Sequence, residues 1–206
     1  MKTRSAHSPS AAPAAKSTPS HKGSGEVRII GGAWRRTKLP VALKLGLRPT
    51  PDRVRETLFN WLGQSLAGWR CVDAFAGTGA LGLEAASRGA AHVALCELDA
   101  ALVAQLNDQV KRLKADTVQV QRADGVAHLN QLKPQSVDLV FIDPPFDGPF
   151  FAPALKAAVT AVKDDGFVYL EAPEAWTQEA LASQGLALYR HLKAGAVHAH
   201  LLRRLA

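Results

Sequence analysis

Arg70-Cys71-Val72-Asp73-Ala74-Phe75-Ala76-Gly77-Thr78-Gly79-Ala80-Leu81-Gly82 is a short apolar strand that runs into a glycine-rich turn and then into an amphipathic helix. Gly77, Gly79 and Gly82 fit the pattern G-x-G-x-x-G. Glycine there permits a tight turn, lets a ligand approach the backbone and lets the helix pack close to the sheet. An acidic residue, Glu97, follows at about 20 residues' distance, at the end of the strand pattern Val93-Ala94-Leu95-Cys96, where it is placed to bind ribose hydroxyls. Strand, glycine turn, helix and acidic strand end together predict an open α/β sheet with a nucleotide-type ligand at its carboxyl edge.

The ligand is narrowed by further acids. Asp73 stands at the mouth of the first strand, where a carboxylate suits the ammonium and sulfonium charges of S-adenosylmethionine better than a pyrophosphate. Asp124 follows the strand pattern Val118-Gln119-Val120-Gln121-Arg122-Ala123 and is placed to accept from an adenine amine. Asp143-Pro144-Pro145-Phe146 ends the apolar run Val137-Asp138-Leu139-Val140-Phe141-Ile142. A carboxylate accepts a hydrogen bond from a planar exocyclic amine, the rigid Pro-Pro backbone fixes a carbonyl to accept a second, and the ring offers a stacking face. Asp73, Glu97, Asp124 and Asp143 each close a successive strand, so a parallel sheet gathers them along one edge, where such sheets bind ligands. Each also has a plain structural reading: the acids as turn or helix caps, the prolines as strand terminators, Phe146 as core.

Strand and helix patterns alternate through the rest of the chain. Helices are expected near 80–88, 99–114, 150–163 and 174–184, and strands near 166–171, 186–191 and 196–203. Interleaving of this kind implies a parallel sheet covered on both faces. Before it, Val27–Ile30 and Ala33–Leu39 read as a hairpin about a Gly31-Gly32 turn. Thr50 is placed as N-cap, with Pro51 at the first helical position, of a helix reaching about Leu66 with apolar residues at Val54, Leu58, Trp61 and Leu62.

Charge is uneven along the chain. The net +7 divides into +9 over residues 1–56 and −2 over residues 57–206. A polyanion-binding surface is therefore expected in the N-terminal part. Arg35, Arg36 and Lys38 crowd one hairpin strand beside Trp34. Arg53 and Arg55 lie off the apolar stripe of the following helix, and Arg48 precedes it. All six are candidate RNA contacts; a solvated, charge-protected edge and a wet helix face are the bland alternatives. Residues 1–25, rich in Ser, Ala and Pro and without an acid, read as a disordered basic tail.

The order Asp73-x-Phe75-x-Gly77-Thr78-Gly79, Glu97-Leu98-Asp99, a strand-end Asp124 and Asp143-Pro144-Pro145-Phe146 resembles the Rossmann-type, S-adenosylmethionine-dependent amino-methyltransferases. The upstream segment Leu47-Arg48-Pro49-Thr50-Pro51-Asp52-Arg53-Val54-Arg55-Glu56-Thr57-Leu58-Phe59-Asn60-Trp61-Leu62 closely resembles the RsmD family, bacterial enzymes that methylate N2 of a guanine in 16S ribosomal RNA. The resemblance runs from Val27 to the C-terminus. It implies a mostly parallel seven-stranded sheet whose last strand enters antiparallel beside the fifth, preceded by a hairpin and helix. It implies S-adenosylmethionine as cofactor, with Asp73, Phe75, Gly77 and Gly79 at its methionine end, Glu97 at its ribose and Asp124 at its adenine. Asp143, Pro144, Pro145 and Phe146 would hold the guanine. The partner implied is 16S rRNA in a partly assembled small subunit, met by a monomer. The expected organisation is tail 1–25, RNA-binding extension 26–66 and methyltransferase domain 67–206.

Other classes fit less of the chain. A DNA adenine-N6 methyltransferase would use the same Asp-Pro-Pro-aromatic pocket but not the Arg48-Pro49-Thr50 segment. A non-catalytic RNA-binding assembly factor would keep the fold, whereas a nicotinamide oxidoreductase has no use for Asp143–Phe146. Cys71 and Cys96 are not in C-x-x-C spacing and are expected reduced and buried, as in a cytoplasm. The seven histidines lack a cysteine or third ligand nearby in sequence, so no metal is expected. No apolar run approaches membrane-span length.

Overall fold

The structure, a computed structural model, describes residues 25–42 and 50–205. The expectations for the basic tail up to residue 24 and for Arg48 and Pro49 lie outside the described residues.

Seven strands form one sheet in the order β5-β4-β3-β6-β7-β9-β8: β3 (Arg70–Asp73), β4 (His92–Glu97), β5 (Val118–Arg122), β6 (Val137–Ile142), β7 (Val162–Ala172), β8 (Leu186–Ala194) and β9 (Val197–Arg204). The five strands from β3 to β7 pair in parallel, whereas β9 runs antiparallel between β7 and β8. The antiparallel last strand beside the fifth is thus as expected. Strand order reverses at β3, whose neighbours are β4 and β6, and the crevice above such a switch point is where open α/β sheets take ligands.

The helices are α2 (Ala80–Ser87), α3 (Ala100–Leu113), α4 (Gly125–Gln131), α5 (Phe151–Ala161) and α6 (Gln178–Ala182). Short α4 was not foreseen; it starts on a glycine, which weakens its helical signal, and is nucleated by Asp124, whose carboxylate accepts from Ala127 N at 2.9 Å. The last helix is shorter than the expected 174–184.

Three expectations for the N-terminal part are corrected. Strands β1 (Glu26–Arg28) and β2 (Lys38–Pro40) do pair antiparallel, but Gly31-Gly32 is no two-residue turn, and Arg35 and Arg36 lie in a longer loop. The reason is Glu84, which takes the Ile30 and Gly31 N–H groups, each at 2.7 Å, away from any ladder. Helix α1 (Asp52–Trp61) ends before Leu66 because Gly63 and Gln64 turn left-handed, at φ 86° and 66°. Thr50 makes no cap: Pro51 holds the cap position without a side-chain bond, and Thr50 is buried.

Helix α2 is buried on every side, residue by residue, although its sequence suggested an amphipathic helix. The sheet covers one face and the N-terminal loop the other. Ser87 accepts from Ala33 N (2.7 Å, carbonyl) and Trp34 N (2.9 Å, hydroxyl), and its hydroxyl donates to the Gly31 carbonyl at 2.6 Å. A Cβ on Gly32 would stand 1.8 Å from the Ser87 oxygen, so only glycine allows this approach. Val27, Ile29, Leu39, Val54, Leu58 and Phe59 accordingly share one hydrophobic cluster with Leu83, Leu95, Phe141 and Tyr169 of the main sheet unit.

That docking also overturns the placement of Arg55. Its guanidinium is wholly buried, pairs with Asp52 (2.7 Å) and Glu84 (3.3 Å), and donates to the Arg28 and Thr50 carbonyls at 2.8 and 3.2 Å. Each of its three nitrogens is engaged inside the protein and none of the side chain is exposed, so Arg55 is a core strut and is no RNA contact. Arg35, Arg36, Lys38 and Arg53 are exposed, Lys38 in an ion pair with Glu26 at 2.7 Å.

Candidate functional site

A cavity of about 720 Å³ opens above the carboxyl ends of β3, β4, β6 and β7, within the range of small-molecule sites. Asp73, Phe75, Gly77, Glu97, Asp124, Asp143, Pro144, Pro145 and Phe146 all line it. The parallel register gathers these sequence-distant residues on one rim, the β3 turn facing the same space as the loop after β6.

Asp73 ends β3 and is 1% exposed. One of its oxygens accepts from Gly82 N at 3.0 Å; the other, Oδ1, is buried with no hydrogen-bond partner. Burial pushes its pKa up to about 7, and the nearby acids Glu97 and Glu171 push the same way against the Gly82 and Phe75 amides. A half-satisfied carboxylate on a cavity wall fits a ligand bearing a cation there. Gly77 and Gly79 take positive φ, 51° and 77°, which shapes the turn beside it. Gly82 has no room for a side chain, since a Cβ would lie 2.2 Å from Leu95. Gly79 lies in the turn behind the wall, where a Cβ would meet Leu106 at 2.6 Å.

Glu97 Oε2 accepts from Gly77 N at 3.0 Å and Oε1 from Asp99 N at 2.8 Å, so the carboxylate is fixed with lone pairs to spare for hydroxyls. Asp124 serves as cap of α4 and wall of the cavity at once. Its place is set by Gly125, where a Cβ would stand 1.9 Å from the Ala74 carbonyl oxygen.

Asp143 follows directly on β6. Burial lifts its pKa well above the usual carboxylate range, Glu171 and Asp73 add to this, and Thr50 as hydrogen-bond partner opposes it. Phe146 is 40% exposed, unusual for so large an apolar side chain, and begins a run of rings through Phe151 (6.4 Å) to Trp176 (6.2 Å). A carboxylate, a rigid dipeptide and an open ring face thus stand together at one end of the cavity.

Among the wall residues that sequence reasoning missed, three bear on the chemistry. Leu98, 61% exposed, holds an apolar side chain in solvent next to Glu97. Thr50 is 3% exposed yet reaches the cavity. Glu171, also 3% exposed, is a fifth carboxylate near the end of a parallel strand, and that repeated position was the available signal. Cys71 and Cys96 are buried and free. His191, His198 and His200 come together on β8 and β9, with ring centroids 4.8–6.3 Å apart, and among the described residues no group suits a metal ion.

This strand order, with a glycine turn beside an acidic pocket and an antiparallel closing strand, defines the Rossmann-like S-adenosylmethionine-dependent methyltransferase fold. Comparison with known proteins gives the particular branch. The family described as Conserved hypothetical protein 95 matches residues 27–203. Ribosomal RNA small subunit methyltransferase D of Escherichia coli K12 is 47% identical over 154 residues, 75% of each chain. Its Haemophilus influenzae namesake is 40% identical over 186 residues, 84% of this chain and 95% of that one. The solved structure of yhhF from Escherichia coli, assigned as a methyltransferase, superposes with a TM-score of 0.75 at 38% identity, covering 88% of this chain and 99% of its own. The chain belongs to the RsmD family.

Proposed function

We propose that this protein transfers a methyl group from S-adenosylmethionine to the exocyclic N2 of a guanine in 16S rRNA, acting as a monomer on a partly assembled small subunit. The observation that carries the reading is the sharing of one cavity by a half-satisfied buried acid, Asp73, and the amine pocket Asp143–Phe146. The names of the relatives support ribosomal RNA as substrate.

When bound, S-adenosylmethionine supplies an electrophilic methyl group on a sulfonium. Asp73 Oδ1 would take its ammonium, Glu97 its ribose hydroxyls and Asp124 its adenine amine. At the acceptor end, the guanine N2 lone pair is delocalised into the ring and is a poor nucleophile. Hydrogen bonds from its N–H groups to the Asp143 carboxylate and the Pro144 carbonyl favour pyramidal geometry at nitrogen. Phe146 stacks on the base and Pro145 keeps the loop rigid. Asp143 orients the amine and stabilises the positive charge that develops on it. A stacked base cannot enter such a pocket, so the target is looped or flipped out. Arg35, Arg36, Lys38 and Arg53 supply phosphate contacts outside the pocket.

The test is transfer of a labelled methyl group to small-subunit particles, naked rRNA and DNA, followed by nucleoside analysis. N2-methylguanosine from the small subunit is expected, together with a loss of about 10²–10³ in rate for Asp143→Ala. Label in DNA alone, or an unaffected Asp143→Ala, overturns the reading.

A further inference from the structure

Asp143 has a second carboxylate beside it. Strands β6 and β7 run parallel with Ile142 next to Leu170, so the following residues, Asp143 just past the end of β6 and Glu171 still within β7, are neighbours. Both line the cavity, together with Thr50. Glu171 is held from behind, its Oε1 accepting from the Tyr169 hydroxyl at 2.8 Å, and Thr50 is a hydrogen-bond partner of both acids.

A hydroxyl has one hydrogen to donate. Two ionised carboxylates facing Thr50 leave one of them against its lone pairs, whereas a single shared proton satisfies all three groups: one acid donates to the hydroxyl, and the hydroxyl donates to the other acid.

We propose that Glu171 is a positioning residue of the acceptor pocket, which acts through Thr50 to set the orientation and protonation of Asp143. The inference rests on the amino-methyltransferase reading above. In the proposed relay the unliganded protein carries the proton on Asp143, because the Tyr169 hydroxyl donates to Glu171 at 2.8 Å and so stabilises charge there. An amine that donates to Asp143 reverses the balance. The proton then sits on Glu171, which donates to Thr50, whose own hydrogen goes to Asp143; one proton changes place and none is lost. Lys193 and His198 also line the cavity, and Glu97 raises Asp73.

The test is a ¹³C NMR titration of the full chain labelled at Asp carboxyl groups, with Asp143 assigned by its absence in Asp143→Asn. In Glu171→Gln the Asp143 midpoint is expected to fall by about one pH unit or more as the like charge is removed. Thr50→Val is expected to raise it, and Thr50→Ser to leave it near the native value. Thr50→Val reads the same coupling with opposite sign should Glu171→Gln fold poorly. An unmoved Asp143 midpoint in a folded Glu171→Gln, or in Thr50→Val, overturns the proposal. Methyl transfer over pH in the same variants is expected to move its acid limb with the midpoint. A moved midpoint in a protein that methylates no RNA removes the functional reading and leaves the coupling of Glu171 to Asp143 standing.

Discussion

Glu84 and Asp73 are buried carboxylates that both engage helix α2, and they are treated in opposite ways. Glu84, wholly buried, accepts from the Ile30 and Gly31 amides and from the Arg55 and Arg88 guanidinium groups, at 2.7, 2.7, 3.3 and 2.9 Å. Asp73, just as buried, has one oxygen with no partner. A saturated acid fixes the N-terminal extension to the helix. An unsaturated one is an unfavourable arrangement that a cationic ligand relieves, and it marks the side of α2 on which chemistry is done.

The largest effect should come from breaking the saturated partner. Glu84→Ala takes a carboxylate partner from two guanidinium groups and two amides, so a loss of roughly 3–5 kcal/mol is expected, a fall in Tm of about 10 °C or more by calorimetry. A melt within 2–3 °C of native would erase the contrast. Asp73→Asn should act in the opposite direction on the unliganded protein. The native pKa is raised from 3.8 to about 7 by burial, so the stability contributed by protonated Asp73 is present below pH 4 and is lost as pH rises through 7. The variant should therefore be the more stable protein at pH 8, by up to about 4 kcal/mol, with the advantage gone near pH 4. The same substitution should weaken S-adenosylmethionine binding, measured by calorimetry at pH 8, by about tenfold or more. Equal melting of the two proteins at pH 8 would remove the distinction between the acids. The smallest effect sharpens the outer side of the comparison: Arg35→Ala with Arg36→Ala should lower the salt dependence of RNA binding by about two counterions without changing Tm. Filter binding over a salt series reads this, and an unchanged slope would leave that loop with no part in RNA contact.

The rim of the site was largely legible from the chain. Asp73, Glu97, Asp124 and Asp143 stand at or just past the ends of apolar runs, and a parallel sheet turns that local position into a shared edge. Glu171 was harder to see, because its meaning comes from pairing with Asp143 across two strands, and register is not a local property. Arg55 was misplaced for a related reason: helical periodicity gives a residue's angle about the axis and is silent on what packs against it. The turn of the hairpin was misread likewise, although its strands do pair, since the group that captured Gly31 N is 53 residues away.

The full burial of α2 has an engineering consequence. The arginine loop cannot be exchanged as a cassette between relatives, because the underside of that loop is the roof of the helix below. A chain begun after Leu66 would bare the face of α2 that carries Glu84 and Ser87 and leave Glu84 without Arg55, one of its two counter-ions. Any graft of recognition surface has to bring its own Arg55 and its own Gly32 to seat upon the helix.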